Sequence, residues 1–561
     1  MAQGQQRQDE RSESVSRRGL LKGAAAGAAL AAGGGGLLGA TQAQAGTSGG
    51  GGKAVGPGDV AFVNGKFIDG RGEVATAISI RDGRIVAVGQ PSGGGPGQTI
   101  NLRGHTVIPG LIDSHVHFTR TGTNVGHEAR FVEVAFSIAE LQEAIAERAQ
   151  TVPPGPDSFI TCDRGWTPLQ FAEGRHATKD ELDEAAPNHA VFLRGAQLGG
   201  ATNTHGAAFL QARGVPVGED GSVPAGSLGA ADAALRTIQG FEGKVRGEAD
   251  IIAWAAEVGL TGIHDVGNVN IQPDDLPPFF VRQDYAPMNA LYHRNGRRLD
   301  TRMRLYTYST AITPDELDRF AMHQGIRETG DEFLRVNGFG EQIGPDNIFV
   351  ESLRAAARRQ WRIQQHFGPA AGQQFAAFQT VASEFDLADL RWSWGHAGTV
   401  TQAEMEAHAA SGIGVTLTRG PARSWIDTGI RAGAATDATN VSWVNPWMQI
   451  YFFTTRRNQQ GAVSMDGQQI SRLEALHLYT EGSAWFSRED HELGSFDVGK
   501  KADLVVLNQD YLTVSDEDLR KTRSVLTLLG GRVVHAAGDF ADLAPDVAQP
   551  FPNRFPESVE F

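Results

Sequence analysis

Apolar and polar residues alternate through "DVAFVNGKFIDGRGEVATAISIRDGRIVAVG", Asp59 to Gly89, with Asn64-Gly65 and Asp82-Gly83 between the runs. A period of two marks strands with one buried face, and such dipeptides between alternating runs predict hairpins. The texture returns near the other end, in "GSFDVGKKADLVVLN" and "VLTLLGGRVVHAAG". These ends predict one small β domain built from residues 58–108 and 490–561, the latter with a C-terminal tail.

The middle reads differently. Eight short strand-like segments occur in order: "LIDSHVHF", "GLTGIHDVG", "MRLYTYS", "FLRVNGFGE", "WRIQQH", "LRWSWGH", "GIGVTLT" and "GIRAGAATDA". Helical patterns such as "SIAELQEAIAERAQ", "PDELDRFAMHQGIRET" and "TQAEMEAHAA" separate them. Alternating β and α segments predict an α/β fold with a parallel sheet, and eight units make a (β/α)8 TIM-type barrel, here over 109–489. A Gly-, Ala- and Pro-rich insertion, about 155–245, follows the first strand, and long loops on barrels shape substrate sites.

The first 45 residues predict an address rather than a fold. Arg17-Arg18 precedes a weakly apolar Ala/Gly/Leu stretch, and "AQA", Ala43 to Ala45, offers a small-x-small cleavage site. That order is a secretory signal of the twin-arginine type, so the expected partner is the twin-arginine export machinery. The expected location is periplasmic or extracellular. No cysteine follows the apolar stretch, so no lipid anchor is expected. Residues 46–57 read as a flexible Gly/Ser segment. Twin-arginine export carries folded proteins, which suits a chain that acquires a metal first.

Net charge is −15. An acidic chain is a poor polyphosphate binder, so nucleic acid is not an expected partner. Cys162 is the sole cysteine, which excludes an intramolecular disulfide and a cysteine zinc cluster.

His115 and His117, in "VIPGLIDSHVHF", sit two apart on a strand-like segment, so both imidazoles share a face. Paired imidazoles at a strand end suit a divalent metal. Similar residues end other predicted strands: Glu341 the fourth, His366 the fifth, His396 the sixth and Asp437 the eighth. Barrel enzymes build their sites at that face.

With those motifs, "GHAGTVTQAE", "AATDATNVSWVNPW", "EALHLYTEGSAWF" and "GSFDVGKKADLVVLNQD", the chain resembles the amidohydrolase superfamily. It is most similar to the family 3 branch of N-substituted formamide deformylase-like enzymes. The resemblance implies a barrel with a small β-sandwich and metal-dependent hydrolysis of a non-peptide C–N bond in a small molecule. It implies metal ligation by His115, His117, His366 and His396, with Asp437 as proton shuttle. The ion is expected to be zinc, with iron or manganese also compatible, and its number, one or two, stays open. Many relatives carry a bridging lysine where Gly340 stands, and Glu341 is the candidate to replace it. The segment after His366 also departs from the branch pattern. His264 and Asp265 match a recurrent "HD" and are candidates for orienting ligands. Asn203 and His205 are candidate substrate contacts from the insertion. Tryptophans 392, 394, 425, 443 and 447 read either as core or as pocket lining. The competing functions are hydrolysis of a C–O or P–O ester, and an exported ligand-binding protein without catalysis. Self-association is left open.

Overall fold

The computed structural model describes residues 60–89, 97–195, 198–266, 285–307, 328–341, 349–366, 371–396, 398, 400–439 and 442–545. The expected export signal, the Gly/Ser segment and most of "PDELDRFAMHQGIRET" lie outside them.

Each of the eight strand-like segments forms a strand of one parallel sheet: Leu111–Val116, Leu260–Asp265, Arg302–Thr307, Leu334–Glu341, Ile363–His366, Ser393–His396, Gly414–Leu417 and Ala432–Ala434. Their spatial order is their chain order. The last strand returns to the first. Ser114 Oγ donates to Ala434 O at 2.7 Å, Asp437 N to His115 O at 2.9 Å, and His117 N to Ala438 O at 2.9 Å. The sheet is thus a (β/α)8 barrel. Parallel strands are covered on both faces, so they read as apolar runs rather than alternations; all six residues of Leu111–Val116 are buried. Helix Gln402–Ala410 starts where the sequence places it, because Thr401 and Glu404 form a reciprocal cap.

Between the first and second barrel strands the chain builds a folded subdomain. Its five-stranded sheet runs Ser222–Val223, Gly200–Thr202, His189–Arg194, Gly155–Asp163, His127–Glu128. Ile160, Cys162, Trp166 and Leu193 share its core.

The chain ends form two further sheets. One pairs Arg84–Val88, Ile78–Arg81, Val60–Val63 and Gln98–Asn101. The other pairs Arg532–Ala536, Ser524–Leu529, Leu504–Leu507, Thr106–Pro109, Lys66–Asp69 and Gly72–Ala75. Phe62, Phe67, Leu504 and Leu528 meet in one core, which makes the pair a β-sandwich. Asp82 and Gly83, at φ 50° and 74°, form the expected two-residue hairpin. Asn64-Gly65 does not: it passes the chain from one sheet to the other, because Val60–Val63 and Lys66–Asp69 belong to different sheets.

Buried charge joins sandwich to barrel. Arg302 Nε and Nη2 donate to both carboxylate oxygens of Asp503 at 2.8 and 3.0 Å. Two residues on, Arg304 grips Glu489 in the same forked way at 2.7 and 2.6 Å. Burial favours such forks only when both partners are satisfied. Among the described residues no helix is long and apolar enough to cross a membrane.

Candidate metal centre

The pairing of the first and second strands shifts between Ile263–Asp113 and Asp265–Val116, so the first strand carries one extra residue. A bulge of this kind re-aims the side chains that follow it. His115 lies within that shift and His117 just after it, and both reach Asp437. His115 Nε2 lies 3.5 Å and His117 Nε2 3.4 Å from its Oδ1. His396 Nε2 lies 3.2 Å from the other oxygen and 3.1 Å from His115 Nε2. Ligand atoms of His115, His396 and Asp437 all fall within 4.8 Å of one another. The ring of His366 packs beside that of His396, centroids 4.3 Å apart.

Two of these residues hold a backbone that L-residues seldom adopt. His396 has φ 70° and Asp437 φ 56°. Left-handed non-glycine residues cost of order 1 kcal/mol or more each and cluster at functional sites. Next to His396 stands Gly395, where a Cβ would lie 3.2 Å from His115 Cε1. Any side chain there presses on the His115 ring.

The carboxylates around the cluster differ in environment. Burial alone would raise the Asp437 pKa, but hydrogen bonds from His115, His117 and His396 prevail and hold it well below the usual carboxylate range. Asp113 is pushed up to about 7 by burial, against hydrogen bonds from Thr436 and the His115 backbone. It ties the strand ends together: its Oδ1 accepts from His115 N at 3.1 Å, and its Oδ2 from Thr436 Oγ1 at 2.6 Å. Both bonded residues adjoin or belong to the cluster. Asp113 was absent from the sequence reading, since its role needs the first and eighth strands to be neighbours.

Asp265 lies near the cluster. Its oxygens accept from Thr119 N at 3.0 Å, Thr119 Oγ1 at 3.1 Å and Tyr285 Oη at 2.9 Å, fixing the segment that follows His117. Burial raises its pKa, opposed by those bonds and by the charge of His117. His264 is also buried, its ring 6.1 Å from that of Tyr306. Burial lowers its pKa to about 3, and the charges acting on it are those of Glu489, Arg304, Arg362 and Arg335. The side chain of Glu341 lies outside the described residues. Its backbone pairs with Gln365, and that of Gly340 with Gln364, whose Nε2 crosses to Ser114 O at 2.8 Å. A Cβ on Gly340 would stand 3.0 Å from Gln364 O and 3.2 Å from Tyr306 Cβ, so a lysine there would need its neighbours to give way.

Asn203 and His205 serve their own subdomain. Asn203 Oδ1 accepts from Val191 N and Gly206 N, both at 3.0 Å, capping a helix, and His205 Nε2 sits 3.2 Å from Pro187 O. Four of the five tryptophans, 392, 394, 425 and 447, are wholly enclosed core, and Trp443 is 3% exposed.

A parallel barrel with histidines and an aspartate gathered at the ends of its first, sixth and eighth strands defines a class of hydrolase scaffold. The amidohydrolase family profile matches residues 98–535, and the chain belongs to that family. It is 24% identical over 543 residues to an N-substituted formamide deformylase of Arthrobacter pascens, covering 83% of this chain and 96% of that one. Among solved structures, an uncharacterised metal-dependent hydrolase of Pyrococcus horikoshii superposes with TM-score 0.53 at 18% identity, covering 82% of this chain and 99% of its own. The atrazine chlorohydrolase of Arthrobacter aurescens, complexed with zinc, gives TM-score 0.52 at 16% identity, over 87% and 97%. At such identities the structural likeness concerns the fold.

Proposed function

We propose that the chain is an exported amidohydrolase that uses a divalent metal to hydrolyse an amide or N-acyl bond of a small molecule. The observation that carries this is the approach of three imidazole Nε2 atoms to one buried carboxylate at the C-terminal end of a barrel. The donor set fits a cation: His115 Nε2 and His396 Nε2 stand 3.1 Å apart beside a buried carboxylate, so neutral imidazoles there could turn both nitrogens on one ion. Imidazole and carboxylate donors suit zinc, and also iron or manganese.

His115, His117 and His396 would hold the ion beside Asp437. His366, beside His396, and Glu341 are the further donors that a second ion would need. When bound, the metal acidifies water and polarises a carbonyl. Asp437 would take the proton from the attacking water and pass it to the departing nitrogen, which leaves as a neutral amine. Asp265 and Asp113 hold the backbone on which the histidines ride. The name of the A. pascens relative supports an N-acyl substrate, with formyl as the smallest acyl group to try.

A panel of N-formyl and N-acetyl amines, matched with carboxylate and phosphate esters, tests this reading by amine release. Amide cleavage abolished by a chelator and restored by zinc supports it. Ester cleavage without amide cleavage moves the chemistry to C–O or P–O bonds. Metal-independent binding without turnover of either set favours the non-catalytic alternative.

For export, the support is the order of Arg17-Arg18, apolar stretch and Ala43–Ala45 in the sequence. Mass spectrometry of protein secreted by a bacterial host tests it. A mature chain starting near Gly46, lost when both arginines become lysine, is the expected result, and an uncleaved cytoplasmic chain overturns it.

A further inference from the structure

The chain that leaves the eighth strand is tied to the first strand where it starts. Asp437 N donates to His115 O and His117 N to Ala438 O, both at 2.9 Å. A few residues on, it is tied again, to the connection that follows the first strand. Val444 N donates to both carboxylate oxygens of Glu133, at 2.9 and 3.1 Å, and Asn445 N donates to one of them at 3.0 Å. Asn445 in turn caps helix Pro446–Thr455 by accepting from Trp447 N.

Glu133 lies on the short helical turn Arg130–Val134 and is fully buried. Its ion partner, Arg130, is equally enclosed. Arg130 also donates to Asp163 O at 3.2 Å and to Arg164 O at 3.1 Å, which brings in the insertion. Gly165, at φ 77°, packs so closely that a Cβ there would collide with the Glu133 carboxylate. One buried pair therefore joins the first connection, the insertion and the chain beyond Asp437.

Burial raises the Glu133 pKa, opposed by the charge of Arg130 and by the backbone N–H groups of Val444 and Asn445. Among the described residues its hydrogen-bond partners are all donors. A proton on the carboxyl would find no acceptor, so the ionised form is the one that fits. Buried ion pairs are often matched in stability by apolar residues of similar volume, so stability alone gives little reason for a charge here. Asp437 supplies another reason. Its backbone sits at φ 56°, and such a conformation persists only where its surroundings over-determine it.

We propose that Glu133 is a positioning residue: by holding Val444 and Asn445 it keeps the chain beyond Asp437 on the course that presents the Asp437 carboxylate to the histidine cluster. This deepens the amide-hydrolase reading and rests on it. A misplacement of about 1 Å far from the chemistry can cost of order 10²-fold in rate. The histidines ride on the first and sixth strands, so metal binding is spared.

The test uses zinc-loaded full chains of wild type, Glu133→Gln and Glu133→Asp. Glutamine turns an amide N–H toward donors that need an acceptor, whereas aspartate keeps the charge one methylene short. Asp503→Ala, at the joint between sandwich and barrel, serves as a control for lost stability away from the site. Hydrogen exchange of peptides covering residues 442–447, zinc per chain, Tm, and kcat and KM are read on each. The substrate is whichever N-formyl or N-acetyl amine the wild type cleaves fastest. In Glu133→Gln, exchange at 442–447 should be about 10-fold faster or more, because its N–H groups lose a buried acceptor. There kcat should fall about 10- to 100-fold with zinc unchanged and KM within threefold. Glu133→Asp should fall between Glu133→Gln and wild type in both exchange and kcat. Exchange unchanged in Glu133→Gln overturns the proposal whatever the turnover. Faster exchange with kcat within threefold of wild type overturns it too. An equal fall in kcat in Asp503→Ala at the same loss of Tm makes the effect one of stability and also overturns it. Faster exchange at 442–447 in Glu133→Gln, with no amine released by the wild type, keeps the clamp on this chain and removes the hydrolase reading.

Discussion

The Nε2 atoms of His115 and His396 lie 3.1 Å apart although 281 residues separate them. One sits at the end of the first barrel strand and the other at the end of the sixth, so only a closed barrel brings them together. Asp437 reaches the same point from beyond the eighth strand, and its backbone N–H helps to close that barrel on His115 O. The bond that finishes the fold therefore also sets the site, and changes at Asp437 can be read through its side chain alone if the backbone is left in place.

Asp437→Asn keeps the size and the backbone bond and removes the proton acceptor. The metal should stay bound and kcat should fall about 10²- to 10⁴-fold, the usual range for loss of a general base. Metal content and steady-state rates on the same preparation check it. Loss of metal in step with activity would make Asp437 a ligand first.

Gly395→Val places a branched side chain where even a Cβ comes within 3.2 Å of the His115 ring. Metal affinity should drop while the fold survives, since the tight contacts are the His115 ring and one backbone carbonyl, Gln365 O at 3.3 Å. We expect a decrease of about 10- to 100-fold, as for other disturbances of ligand orientation. Competition with a chromophoric chelator measures it, and circular dichroism checks the fold.

Asp503→Ala leaves Arg302 buried without its forked partner at the joint between sandwich and barrel. Removing one partner of a buried pair costs roughly 3–5 kcal/mol. Urea unfolding should show a loss of that size. Asp503 also accepts from Gly530 N at 2.6 Å, so Arg302→Met is the companion variant that separates the ion pair from the turn.

His408 is fully buried in a box of aromatic rings, the nearest that of Trp394 at 4.5 Å, and among the described residues neither ring nitrogen has a hydrogen-bond partner. Burial lowers its pKa from 6.5 to about 3. Above pH 6.5 it is neutral folded and unfolded, so its environment carries no proton penalty. As pH falls from 6.5 toward 3, the unfolded chain takes up a proton that the folded chain refuses, and stability is lost across that window. At 1.36 kcal/mol per pKa unit the loss approaches about 5 kcal/mol by pH 3. His408→Phe should remove this slope, so the Tm difference between pH 7 and pH 4.5 should shrink. An unchanged difference would mean that other groups set the acid sensitivity.

Much of this was legible in the sequence. Eight strands announced themselves as short segments between helical patterns, and "TQAEMEAHAA" read as the helix that the structure forms. Same-strand periodicity also drew His115 and His117 together. Other features needed three dimensions. Asn64-Gly65 has the composition of a hairpin, yet its flanking strands pair with other partners, Val60–Val63 with Ile78–Arg81 and Gln98–Asn101, and Lys66–Asp69 with Gly72–Ala75 and Thr106–Pro109. The insertion read as a glycine-rich loop because its strands are short and separated by turns, and its core forms only when Cys162 and Leu193 meet. Asp113 looked like one more polar residue before the histidines; its bond to Thr436 spans the barrel seam.

The central claim is that His115, His117, His396 and Asp437 surround a metal ion. The most direct measurement is metal per chain by elemental analysis, on wild type and on His115→Ala/His396→Ala, after identical loading with zinc and desalting. The account predicts at least one equivalent in the wild type and near none in the double variant, with circular dichroism unchanged. Equal metal in both, or none in the wild type after zinc, iron and manganese have each been offered, would contradict it.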